Sequence, residues 1–328
     1  MNGVKNSLLL YELMLVAFIA GCHRTDSDYA TDSGLKVKDT VIRANVIILS
    51  RRFDSVIHVR QLKALDVLSK EDTTAASPFW PGVSVRLFYD NVRRNILFPD
   101  KINQGRSTNF CSYAAMTHLL IKYHPDLYIH YILSLYHNGE VSLKKKTLIP
   151  SLAVRQAAGI LNNKGDLDVL HADQLWFLTL ADQFKGYINI LNLNYDPGDE
   201  STIWAGTNYA KFNRMLADFT DDELTSRGSD ILKPFVSNLF DYISSELRKG
   251  VVVLYLNSKY LYPTKYSLVT LQAPTHFVVA YNMYKIGDMI EFQYWDYGLR
   301  TQQLITSKRL QQLIFGVTTI TRITDEAN

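Results

Sequence analysis

Apolar side chains recur at three- and four-residue intervals through the middle of this chain and then switch to a strand rhythm near its end. In residues 112–123 (SYAAMTHLLIKY), Ala115, Leu119 and Tyr123 share one helical face. His124-Pro125 stops that helix, and Asp126 begins a second that runs to about His137. Helical spacing also predicts helices over 151–162, 173–185, 208–218 and 230–249, with Gly186 and Gly250 as stop signals. From Val251 the pattern is that of strands. Val251–Leu256 (VVVLYL) is a short apolar run, and His276–Tyr284 and Met289–Tyr297 are β-rich segments joined by a turn at 285–288. Residues 316–323 supply one more strand. Helices first and an antiparallel sheet afterwards indicate an α+β fold.

The region before residue 99 is less regular. Residues 41–50 form a short β-like run, 57–68 and 84–98 are apolar at mixed spacing, and 69–81 (SKEDTTAASPFWP) is a polar break punctuated by proline. At the start of the chain, Lys5 precedes an apolar run from Leu8 to Ala20. That run is too short for a comfortable membrane span, which takes about 20 apolar residues, and it suits the hydrophobic part of a secretory signal. It ends Ile19-Ala20-Gly21-Cys22, which resembles the bacterial lipoprotein box. The resemblance implies acylation of Cys22, with residues 1–21 as the removed signal, and the absence of Asp at position 23 favours the outer membrane. Residues 22–39 are polar and read as a flexible tether. The expected division is then an extension of undefined role at 40–98 and a main domain at 99–328.

Composition narrows the chemistry. Apolar residues at 47% and charged residues at 20% are ordinary globular proportions, which excludes a disordered, collagenous or coiled-coil chain. A net charge of +3 is too diffuse to point to nucleic acid. There is no HExxH or Cys/His ligand spacing, and the glycines at 159 and 165 are isolated, so neither a metal, a phosphate loop nor another cofactor is expected.

Once Cys22 is set aside, Cys111 is the one remaining cysteine. With Thr108 or Asn109 as helix cap it falls in the first helical turn, where backbone N–H groups and the helix dipole favour a thiolate. A nucleophilic cysteine needs a base. His118 lies two turns further on, too distant for a hydrogen bond, and His124, His130, His137 and His171 read as surface or packing histidines. His276 opens a strongly β segment, and Asp296 closes its return strand. A turn centred on Ile286 or Gly287 sets these two residues opposite or nearly so, with Cβ atoms about 5 Å apart on a shared face. A slip of one residue would send them to opposite faces, so the pairing requires an odd loop length or a bulge. A lone carboxylate in an aromatic strand is costly to bury, whereas orienting an imidazole gives it a partner.

A cysteine at a helix start, a helical region, a Gly-VVVLYL strand, a strand led by His and a strand ending in Asp-x-Gly together resemble the papain-like cysteine peptidases, in particular the branch of bacteriocin-processing peptidases. The resemblance covers roughly residues 100–323. It implies a helical lobe led by the cysteine helix and packed on an antiparallel sheet, with Cys111 as nucleophile, His276 as base and Asp296 as the orienter of His276. The family also places a glutamine a few residues before the cysteine to bind the oxyanion; here Gln104 lies seven before, with Asn103 and Asn109 as substitutes. The implied substrate is a peptide or another amide, handled at the cell envelope. The competing expectation is a lipoprotein that keeps the fold as a binding module without turnover.

Overall fold

The computed structural model describes residues 57–105, 108–161, 169–184, 194–261 and 274–321. The expected signal, Cys22, the tether and the β-like run at 41–50 lie outside these residues. No helix among the described residues is long and apolar enough to cross a membrane.

The architecture is mixed α+β. A helix over residues 57–69 (α1) is followed by α2 (Val85–Leu97), α3 (Cys111–Tyr123) and α4 (Pro125–Asn138). The α3–α4 break falls where Pro125 takes the first position of α4, and α4 ends on Gly139 at φ 71°. A two-stranded hairpin, β1 (Val141–Ser142) and β2 (Thr147–Leu148), leads into α5 (Leu152–Ala157) and α6 (His171–Phe184). Then come α7 (Tyr209–Phe219), β3 (Glu223–Gly228), α8 (Leu239–Lys249), β4 (Val251–Leu256) and α9 (Ser258–Leu261). The chain closes with β5 (His276–Ile286), β6 (Met289–Asp296), β7 (Leu299–Thr306), α10 (Ser307–Leu313) and β8 (Ile314–Thr321).

These strands form a six-stranded antiparallel sheet in the order β3-β8-β4-β5-β6-β7. The central strands read as apolar runs because both faces are covered. On one face Val253, Tyr255, Phe277, Val279 and Trp295 join the helical core. On the other, Val252, Leu254, Val278 and Tyr294 pack with Leu239 and Ile243 of α8 and Leu310 and Leu313 of α10.

Three expectations need correction. The helix foreseen over 230–249 covers only Leu239–Lys249: Pro234 breaks the pattern, and Asn238 caps the shorter helix by accepting from Asp241 N. The helix foreseen over 151–162 ends at Ala157. Cys111 is the first residue of α3, and neither Thr108 nor Asn109 caps it. The cap position is Phe110, which has no side chain to accept a backbone bond.

Candidate active site

Cys111 sits where the start of α3 meets the start of β5. Its Sγ lies 3.8 Å from the carbonyl oxygen of Thr275, to which the thiol donates. A row of stacked rings behind the site fixes that strand end. Phe277 packs against Phe212 of α7 at 4.3 Å and against Tyr255 of β4 at 4.4 Å, leaving His276 one residue away from an anchored position.

His276 Nε2 donates to Asp296 Oδ1 at 2.7 Å, and both residues are about 98–99% buried. Burial alone would depress the histidine. The Asp296 charge and hydrogen bond, with a further contribution from the Cys111 sulfur, outweigh it and push the pKa from 6.5 up to about 10. The imidazolium form is thus favoured while Asp296 holds the ring. The other ring nitrogen, Nδ1, is buried and makes no hydrogen bond of standard geometry among the described residues. Cys111 acts on the ring through a looser contact and through its charge, a common condition for catalytic pairs without substrate.

Asp296 is the last residue of β6, directly before a two-residue turn. Tyr297 (φ 48°) and Gly298 (φ 74°) both take left-handed backbone, as a type I′ turn demands. Glycine accepts this freely, but Tyr297 is the one non-glycine residue with positive φ among those described. Its ring stacks on His276 with centroids 5.3 Å apart and planes at 21°, so a strained backbone supports the imidazole. Nothing in the sequence marked Tyr297 beyond its place between Asp296 and Gly298.

The segment carrying Gln104 leans on this same turn. A Cβ at Gly298 would come within 3.1 Å of the carbonyl oxygens of Lys101 and Ile102, and Trp295 Nε1 donates to the Asp100 carbonyl at 3.0 Å. Gln104 is 2% exposed, and its Nε2 has no hydrogen-bond partner among the described residues. A buried amide donor left unpaired is costly, so one found in a stable fold calls for an explanation such as a ligand it awaits. The alternative donor, Asn109, is committed elsewhere. Its Nδ2 donates to the carbonyls of Ser201 at 3.0 Å and Thr202 at 2.8 Å, which removes it as an oxyanion ligand in this arrangement. Asn103 Oδ1 accepts from Gly105 N at 2.7 Å, a bond that holds the loop and does not use the Nδ2 donor.

Three other histidines hold structure. His118 is fully buried, stacked on Trp295 at 4.4 Å, and donates from Nδ1 to the Pro99 carbonyl. Burial, followed by the charge of Lys122, pushes its pKa down to about 3. His124 pairs with Asp222 at 2.9 Å and His137 with Glu71 at 2.8 Å.

Compared with known protein families and with curated proteins, the chain matches none. The chemistry of the site therefore rests on its own geometry: a thiol at a helix N-terminus, an imidazole within its influence, a carboxylate on the far side of that imidazole, and a buried amide donor on the adjoining loop.

Proposed function

We propose that the chain is a papain-like thiol hydrolase that cleaves a peptide or amide bond, anchored to the bacterial envelope through a lipid on Cys22. The observation that carries this reading is the buried His276–Asp296 bond of 2.7 Å on a ring that Cys111 also perturbs. In the proposed cycle, the Cys111 proton already resides on His276, and the thiolate attacks the carbonyl carbon of the amide. The tetrahedral oxyanion is held by backbone N–H groups at the start of α3 and by Gln104 Nε2. His276 then gives its proton to the departing amine, leaving a thioester. Water, deprotonated by the same imidazole, hydrolyses the thioester to a carboxylic acid and restores the thiolate–imidazolium pair. Asp296 keeps the ring oriented and stabilises its charged form throughout.

A second reading is a binding module on the same fold. It is favoured by the burial of the whole constellation: Cys111 is 3% exposed and His276 1%. Thiol alkylation separates the two. Iodoacetamide should modify Cys111 at pH 6–7 at least tenfold faster than a model thiol, and His276→Ala should abolish the excess. A Cys111 that reacts as an ordinary thiol, with or without His276, refutes the enzyme and leaves the binding module.

A further inference from the structure

The hairpin of β5 and β6 contains a register shift, and the shift decides whether the site exists. Near the hairpin tip the pairs run from Ile286 opposite Met289 to Asn282 opposite Gln293. Beyond them, Ala280 stands opposite Tyr294 and Val279 opposite Trp295, so Tyr281 has no partner and forms a one-residue bulge. Continued to the end of β6, this register puts Val278 opposite Asp296 and makes His276 its diagonal neighbour on the same side of the sheet. If the tip register ran on instead, with Tyr281 paired to Tyr294, Val279 would face Asp296, and the carboxylate would project from the side opposite to His276.

The bulge residue is held by an unusual concentration of polar groups. The Tyr281 hydroxyl lies 3.2 Å from Asp100 Oδ1 and 3.1 Å from His118 Nε2, and accepts from Lys122 Nζ at 3.2 Å. Lys122 and Arg300 also stand over its ring, 4.5 and 5.0 Å from the centroid. His118 donates its other nitrogen to Pro99, so its Nε2 is an acceptor facing the phenol. His118 and Lys122 belong to the helix that Cys111 starts, and Asp100 to the segment that leads to Gln104. One side chain therefore ties the nucleophile helix and the Gln104 loop to the point where the strand changes register.

We propose that Tyr281 is a positioning residue, its pinned bulge being the device that places Asp296 on the face of His276. Its catalytic meaning rests on the reading of Cys111 as a nucleophile; its effect on the His276–Asp296 pair does not. Two readouts in the full chain keep these apart: the downfield proton resonance of the His276 ring N–H bonded to Asp296, and the alkylation rate of Cys111. Tyr281→Ala, which removes the side-chain contacts that pin the bulge and leaves position 281 able to pair with Tyr294, should remove the resonance and lower the alkylation rate at least tenfold. Deleting Tyr281 closes the bulge but leaves Ala280 opposite Tyr294 and Val278 opposite Asp296, so a folded deletion variant should keep the resonance. A folded Tyr281→Ala variant with resonance and rate unchanged overturns the proposal, as does a folded deletion variant that loses the resonance. If neither variant folds, Tyr281→Phe, which removes the hydroxyl contacts with Asp100, His118 and Lys122, decides: an unchanged resonance and rate overturn the proposal, and loss of the resonance supports it. A parent protein with the resonance but an ordinary thiol refutes the hydrolase reading alone, and the resonance then tests the bulge by itself.

Discussion

The His276–Asp296 pair sets a pH signature that can be read without a substrate. Its histidine is shifted from 6.5 up to about 10, with burial opposing and Asp296 driving the rise. A base whose folded pKa exceeds its unfolded value binds its proton more tightly in the native state. That contribution to stability is complete below pH 6.5, falls as pH rises from 6.5 to 10, and is absent above. The thermal midpoint should therefore decline across this window, and the decline should be much shallower in Asp296→Asn, where the driving charge is gone. Equal slopes for the two proteins would show that the pair does not hold its proton as the geometry requires. At this scale the sequence was informative about residue types. A cysteine next to a helix start, a histidine opening a β segment and an aspartate closing its return strand are visible as letters. Tyr297 was not, because a left-handed tyrosine obeys no propensity and is maintained by its ring contact with His276.

Between elements, polar groups do much of the fixing. α2 and α6 are joined by a buried network in which Asn95 Nδ2 donates to Asp173 Oδ1 at 2.6 Å and Asn91 Nδ2 to Oδ2 at 3.2 Å. Asn95 Nδ2 also lies 3.1 Å from the Tyr128 hydroxyl, bringing α4 into the network. Burial pushes the Asp173 pKa up to about 6, against the two amide bonds that favour its charged form. Asn95→Ala removes a donor from a desolvated carboxylate and should cost about 2–3 kcal/mol in urea unfolding; a cost below 0.5 kcal/mol would show that the network contributes nothing net. The sequence could not announce α2 as a helix, since Asn91 and Asn95 occupy buried positions that a binary pattern expects to be apolar. β3 and β7 escaped for a related reason. They are the two edges of the sheet, and their residues (ELTSRG and LRTQQLIT) are mostly solvent-facing, so no apolar alternation marks them. The bulge was foreseen only as one of two ways to reconcile the hairpin parity. Its position at Tyr281 is decided by contacts with residues more than 150 positions away in the chain.

On the scale of the whole molecule, the expected boundary before residue 99 separates nothing physical among the described residues. Ala64 and Leu68 of α1, Trp80, and Phe88, Val92 and Ile96 of α2 belong to the same core as Phe110, Cys111 and Trp176. Hydrogen bonds cross the boundary as well: Arg60 donates to the Tyr123 carbonyl at 3.1 Å, and Trp80 Nε1 to that of Leu135 at 2.7 Å. The segment at 69–81 reads as a polar break from its composition, yet Ser77 and Trp80 inside it are buried against α4. Trp80, Phe88, Val92 and Ile96 are each at most 1% exposed. At about 1.5–3 kcal/mol per fully buried large apolar side chain, these four supply as much as the net stability of a typical domain, about 5–15 kcal/mol. A chain beginning at residue 99 would expose the faces of α4 and α6 that they cover and open the polar network at Asp173. Such a chain should show no cooperative thermal transition and no excess reactivity at Cys111, whereas one beginning at residue 57 should retain both. A stable, cooperatively unfolding protein from residue 99 onward would mean that the first two helices are an accessory to the Cys111 lobe and not a part of its core.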